Sequence, residues 1–318
     1  MILKKYSTFF PDLLVVLFLT IILLNYDHSA SLAPEYLLFT IQLGLLWFFC
    51  RTLFFLFPVL LSYIAYAILL VGLVQAGWGL GQLYNFLPST HHLFRTTGSF
   101  FNSGPFGGFI GLMFPLALHF WLRFKQKNSA LRYIFLVVGI VCMLVFPATL
   151  SRTAWIAAVI GCGIVIAFDT EIVAKLKNVY ERHRKTVLIG AVILCLLSVG
   201  VVYGVFHIKE DSANGRLFMW KITTLAIKEA PITGVGLGGF PAAYAEAQIA
   251  YFKSGRGTET EIWVAGSPEF AFNEYLRIFL EQGIVGGVVF LLLTFLILFK
   301  GINPTPLYLN FSLRCILY

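Results

Sequence analysis

The sequence predicts an all-α integral membrane protein of about eight transmembrane helices, with one large outer loop containing short helices. Three observations predict it. First, 59% of the 318 residues are hydrophobic and only 12% are charged. A soluble domain carries roughly a quarter charged residues, so this chain has too little polar surface to cover a particle of its size in water. Second, the apolar residues, which give a mean hydropathy of +0.85, gather into runs near the roughly 20 residues that cross a bilayer. Third, Lys and Arg gather in alternate short loops, the bias that orients membrane proteins.

The runs are 10–26, 34–50, 52–76, 106–123, 131–149, 153–169, 187–207 and 275–299. The first follows Lys4 and Lys5 and opens at Phe10-Pro11; with only the weak cleavage site Ser29-Ala30-Ser31 after it, it reads as a spanning helix rather than a signal peptide. Lys4 and Lys5 place the N-terminus inside. Eight crossings then bring inside Arg51, the cluster Arg123, Lys125, Lys127 and Arg132, the cluster Lys175, Lys177, Arg182, Arg184 and Lys185, and Lys300. Segments 27–33, 77–105 and 208–274 fall outside. Run 52–76 is interrupted by Pro58, Gly72 and Gln75. The formal charge of +8 is explained by these inner loops, with no nucleic acid partner implied. An aromatic content of 16% suits lipid-facing surfaces and interfacial belts. The five cysteines, Cys50, Cys142, Cys162, Cys195 and Cys315, show no CxxC or Cys/His spacing and read as small buried hydrophobes.

The loop 208–274 is the one sizeable region between membrane runs. Residues 216–230 predict a helix whose apolar side holds Leu217, Trp220, Leu225 and Ile227, capped by Ser212 or Asn214 and ended by Pro231. A glycine-rich turn, 234–239, follows, then a helix over 241–252 and loop over 253–268. The glycine turn looks like half of a dinucleotide fingerprint but lacks the surrounding βαβ unit, so a close backbone approach to a ligand or another helix is the better reading. The tail 301–318, with Pro304 and Pro306, predicts no clean helix.

Charges beside hydrocarbon are costly and point to partners or ligands. Arg95, Arg152 and Arg216 fall on the outer side. Arg152 lies in the turn Thr149-Leu150-Ser151-Arg152-Thr153 between two apolar flanks. A guanidinium there matches phosphate oxygens, though it could equally snorkel to headgroups or cap the preceding helix. Arg216 opens the outer helix, where a cation opposes the helix dipole; with the free N–H groups of a helix start it would hold an anion, as against being an ordinary solvated residue. Adjacent His91 and His92 read as a solvated loop pair rather than metal ligands. Glu269 and Glu274 flank the segment that re-enters the membrane, where partial loss of water suits a carboxylate to act as a base; either could instead be a plain interfacial acid.

Four segments, in order, then carry a resemblance: Thr97-Gly98-Ser99-Phe100-Phe101-Asn102; Ser151-Arg152-Thr153-Ala154-Trp155; Gly215-Arg216 with Trp220, Ile227, Pro231, Gly234, Gly236 and Phe240; and Phe272-Asn273-Glu274-Tyr275-Leu276 with Glu281, Gly283, Ile284, Val285 and Gly286. Over roughly 95–295 the chain resembles the O-antigen ligase and polymerase family of bacterial polytopic glycosyltransferases. The resemblance divides the chain into N-terminal helices (1–94), a ligase-like membrane domain (95–300) with a periplasmic loop (208–274), and a short tail (301–318) that reads as a truncation beside longer relatives.

The resemblance implies a multi-pass enzyme of the bacterial inner membrane with a periplasmic active face. Its donor would be a glycan on undecaprenyl diphosphate, and its acceptor lipid A–core or, in polymerases, another lipid-linked repeat unit. The reaction takes neither nucleotide sugar nor metal nor other cofactor. Arg152 and Arg216 match the family's diphosphate-binding arginines; Arg95 and Asn273 join them as substrate-binding residues. The chain departs from the better-known ligases in having Phe270 and Phe272 where a His precedes Asn-x-x-Leu. No His occurs in 208–274. Either Glu269 or Glu274 serves as the base, or this is a branch with another acceptor. A transporter or flippase for an anionic lipid-linked substrate is the alternative of another class; it predicts inverted repeats and charged or broken helices at the midplane, and the sequence shows no repeat.

Overall fold

The computed structural model describes residues 2–302 apart from 27–29, 31, 90, 92–93, 128, 171, 173–177, 179 and 185–209. Among the described residues the regular structure is helical, with no strand. Among the described residues, six helices are long and apolar enough to cross a membrane: α2 (Ala33–Leu56), α3 (Val59–Leu83), α4 (Ser103–Gln126), α5 (Arg132–Val145) extended by a 3₁₀ turn at Pro147–Thr149, α6 (Arg152–Asp169) and α10 (Glu274–Ile302). The apolar part of α1 (Ile2–Leu24) is shorter, running over Phe10–Leu24. The expected span 187–207 and most of the tail lie outside the described residues, as do His92, Lys175, Lys177 and Lys185. The chain is thus an all-α integral membrane protein. It divides into two compact units, one of residues 1–58 with 206–318 and one of 59–205.

In the unit 59–205, α4 packs against α3, α5 and α6. Phe106, Ile110, Met113, Cys142 and Val145 are wholly buried there. Aromatic rings fill one end, with Phe120 stacked on Phe135 at 5.3 Å. His119 of α4 bonds Asp169 of α6. Helix α3 is continuous, and Gln75 does not interrupt it. Gln75 and Gln82, seven residues apart, share one face. The Gln75 amide donates to the Ser99 hydroxyl at 2.7 Å, and Ser99 N–H donates back to its Oε1 at 3.0 Å. Buried Gln82 accepts the N–H groups of Thr97 (2.9 Å) and Gly98 (2.8 Å), and its amide donates to the carbonyls of Gly98 and Pro88, each at 3.1 Å. Polar side chains in an apolar helix here replace water as partners for a non-helical loop. Asn102 then caps α4, its Oδ1 accepting from Gly104 N–H at 2.9 Å.

In the other unit, α1 packs along α10 and α2. The expected boundary at Arg51 is wrong: α2 runs through it to Leu56, and the break falls at Phe57-Pro58. Arg51 is tolerated inside the helix because Asp12 of α1 meets its Nε at 2.6 Å, while Trp47 Nε1–H donates to the same carboxylate at 3.0 Å. Pairing is what makes a charge tenable at that depth.

The segment between the membrane helices forms α7 (Glu210–Glu229), α8 (Phe240–Lys253) and α9 (Glu259–Val264). The buried stripe of α7 is Phe218, Ile222 and Ala226, a four-residue repeat. Leu217, expected on that side, faces outward, 53% exposed. Helix α9 replaces part of the expected loop 253–268. Its capping box was readable in Thr258-Glu259-Thr260-Glu261: Thr258 Oγ1 accepts from Glu261 N–H at 3.3 Å, and the Glu261 carboxylate accepts from Thr258 N–H at 3.0 Å.

The glycine turn settles against another helix. Inside α10, Gly283 has φ 61° and ψ −166°, a break that only glycine tolerates. There Val235 N–H bonds the Leu280 carbonyl, Gly236 N–H the Glu281 carbonyl, and Ile284 N–H the Pro231 carbonyl, all at 2.9 Å. A Cβ on Gly234 would lie 2.5 Å from Glu281 backbone, so contact this close requires glycine. Asn25, at the end of α1, donates from Nδ2 to the carbonyls of Thr233 (2.6 Å) and Glu281 (2.8 Å). The kink of α10, the turn and the end of α1 are one hydrogen-bonded junction.

Candidate active site

The start of α10 brings together four of the six residues singled out by sequence. Asn273 caps the helix, its Oδ1 accepting from Tyr275 N–H (3.1 Å) and Leu276 N–H (3.3 Å). The preceding Phe272 sits at φ +50°, which turns the chain sharply into the helix. Its ring lies 5.4 Å from the Arg216 guanidinium of α7. One helical turn further along α7, Trp220 Nε1–H donates to the Ala271 carbonyl at 3.0 Å. Two side chains four residues apart on α7 therefore hold the turn 271–273.

Arg216 is not at a helix start. Helix α7 is already formed at Glu210, so the backbone N–H groups around Arg216 are spent within the helix. The helix-start geometry instead belongs to Arg152, in the other unit. There α5 gives way to the 3₁₀ turn, Leu150 adopts φ 49°, and Arg152 is the first residue of α6. Ser151 makes no side-chain cap, leaving the first-turn N–H groups of α6 without that partner. The turn is anchored from behind, with Thr149 Oγ1 donating to Phe146 O at 2.7 Å and Trp155 Nε1–H to the same oxygen at 3.3 Å. Arg95, also in that unit, is exposed and lines a cavity of about 370 Å³ with Gln82, Asn85 and Ser89. His91 packs its ring on Phe94 and Phe101.

Glu269 and Glu274 are both exposed. Glu274 is committed to Arg277, whose Nη2 lies 3.0 Å from its carboxylate. The Arg277 guanidinium stands 5.5 Å from the Tyr36 ring, and its Nε is buried with no hydrogen-bond partner. Arg277, Glu281, Glu269 and Glu274 all act electrostatically on the Tyr36 hydroxyl, so these five residues form one charged neighbourhood. Sequence reasoning missed Tyr36 and Arg277. The i,i+3 spacing of Glu274 and Arg277 was a readable signal; nothing along the chain links Tyr36 to them.

Glu281 is 2% exposed, and its Oε1 accepts the Gly238 N–H at 3.2 Å. This carboxylate thereby ties the glycine turn, two residues before α8, to α10. On α8, burial pushes the Tyr244 hydroxyl up to about 12, keeping it protonated. Beyond it, Lys221 Nζ bonds Glu261 (2.6 Å) and the Tyr251 hydroxyl (2.7 Å), locking α9 onto α7. The Lys221 hydrogen bond, with that from Thr258, draws the Glu261 carboxyl down to about 2, and the bonds to Glu261 and Tyr251 raise Lys221.

Residues 144–291 match the family model described as O-antigen ligase. Arg152, Arg216, Glu269, Asn273 and Glu274 fall within that stretch; Arg95 and the segment 97–102 precede it. A Haemophilus influenzae protein described only as uncharacterized is 24% identical over 212 residues, which cover 63% of this chain and 50% of that protein. The chain thus aligns with about half the length of this relative. No solved structure matches.

Proposed function

From a chain whose residues 144–291 carry an O-antigen ligase family domain, we propose a membrane glycosyltransferase that moves a glycan from undecaprenyl diphosphate to an acceptor such as lipid A–core at the periplasmic face of the inner membrane. The observation that carries this reading is that the family stretch contains both Arg152, the first residue of a helix, and Arg216, set over an aromatic ring.

In the proposed reaction an acceptor hydroxyl oxygen attacks the anomeric carbon of the donor. The bond from that carbon to the diphosphate oxygen breaks, and its electron pair leaves with undecaprenyl diphosphate. Arg152, with the α6 N–H groups, and Arg216 bind that growing negative charge; fixed cations in a poorly solvated site stabilise it far more than they would in water. Arg95 is a further substrate-binding residue in this reading. Glu269 or Glu274 takes the hydroxyl proton. Asn273 spends Oδ1 on the helix cap and keeps its Nδ2 hydrogens for the glycan.

The test is complementation of a host lacking its own ligase, with surface glycan on lipid A–core read by gel. Wild type restores the ladder, and Arg216→Ala and Arg152→Ala each lower it at least a hundredfold while the protein still inserts, since one transition-state donor is worth about 10²–10³ in rate. Lengthening of lipid-linked chains without ladder restoration would assign the polymerase reaction instead. Full activity in both variants would remove the arginines from the mechanism.

A further inference from the structure

A second cavity, of about 200 Å³, lies between one face of α8 and the strand of chain that leads to α10. Tyr244, Ala245 and Gln248 line it from α8; Ser267 and Glu269 line it from the other side. The spacing of 244, 245 and 248 puts all three on one side of the helix. The Oε1 of Gln248 is buried and has no hydrogen-bond partner. A buried amide oxygen without a donor is costly, and its complement is an O–H or N–H group. Tyr244, held protonated, Ser267 and the Glu269 carboxylate add further polar positions around the same space. The volume is below the roughly 300–1,000 Å³ of drug-sized pockets, so it suits one ring rather than a chain.

We propose that this cavity is a subsite for a single sugar residue of the acceptor glycan, with the unsatisfied Gln248 side chain turning into the cavity so that its Oε1 accepts one sugar hydroxyl. The proposal rests on the glycosyltransferase reading above and refines it. Of the two carboxylates, Glu269 lines the sugar subsite, whereas Glu274 is held by Arg277 at 3.0 Å. Glu269 is therefore the residue that removes the proton from the attacking hydroxyl as its oxygen bonds to the donor's anomeric carbon and the diphosphate departs.

Two measurements on the full chain in nanodiscs free of glycoside detergent test it. In saturation-transfer NMR, methyl glucoside, methyl galactoside and methyl N-acetylglucosaminide are the probes. At least one receives saturation from the protein, Gln248→Ala weakens its half-saturation about tenfold, as expected for one lost hydrogen bond, and Ala245→Trp, at an exposed position on the rim, abolishes the signal. In the transfer assay, Gln248→Ala raises the acceptor KM about tenfold with the donor KM unmoved. Absence of saturation for all three probes, or a signal that survives both substitutions, overturns the subsite. If wild type transfers glycan and neither variant changes the acceptor KM, the subsite fails while the ligase reading stands. If the glycoside binds through Gln248 but wild type transfers nothing, the sugar site stands and the ligase reading falls.

Discussion

Replacing Gly283 with Ala strikes the junction on which the site is built. The residue holds φ 61° and ψ −166° inside a membrane helix. That conformation costs a residue with a side chain about 1–3 kcal/mol by itself. A Cβ there would also lie 2.1 Å from the Ile232 carbonyl oxygen and 2.7 Å from Gly234 N, both backbone atoms that no rotamer change can move. Relief requires the glycine turn to lift away from α10, which breaks the three bonds from Val235, Gly236 and Ile284. At about 1 kcal/mol each, added to the cost of the backbone conformation, the total comes to roughly 4–6 kcal/mol. Thermal unfolding of purified protein in nanodiscs should show a fall in Tm on the order of 10 °C, and limited proteolysis should begin to cut within 230–240. Gly163→Ala is the control, because a Cβ there meets nothing within 4 Å; its Tm should hold or rise. An unchanged Tm and cleavage pattern for Gly283→Ala would refute the argument that this turn is locked to the helix by backbone contact.

Three further outcomes are expected. Gln82→Leu leaves the buried N–H groups of Thr97 and Gly98 without their acceptor and should cost about 2–4 kcal/mol, read as lost thermal stability. Asp12→Ala strands Arg51 in α2 and should cost roughly 2–3 kcal/mol, most of it regained when Arg51→Leu is added; equal losses in the single and double variants would exclude the pairing. The Glu261 carboxyl, lowered to about 2, gives stability that is complete above its unfolded pKa of about 4.3 and fades as pH falls toward the folded value. Lys221, raised in the same pair, gives stability that is complete below its unfolded pKa near 10.4 and fades as pH rises through its higher folded value. With both side chains partly exposed, Glu261→Gln should cost about 1 kcal/mol or less between pH 5 and 9, and the difference from wild type should close below about pH 4 when followed by pH-dependent unfolding.

The membrane helices were legible because hydrocarbon imposes a composition on whole runs of residues, and 106–123 and 275–299 fall inside α4 and α10. Boundaries were less legible where a polar residue has a distant partner. Arg51 looked like a loop residue until Asp12 was found beside it, and Gln75 looked like an interruption until Ser99 explained it. The cap of α9 was written in four consecutive residues and was overlooked; the buried stripe of α7 depended on what packs against it.

The division at the site follows the same line. Sequence by itself determined the local chemistry: that Arg152 and Glu274 stand at the ends of long apolar helices, and that a run of glycines suits a close backbone approach. Only the tertiary structure decided that the approach is to the broken helix α10, that Arg152 rather than Arg216 starts its helix, and that Tyr36 joins Arg277 and three glutamates more than 230 residues further along the chain. A hydrophobic run is a property of neighbours in sequence. A hydrogen bond or a charge pair is fixed by distance in space, and the chain does not record that distance until it folds.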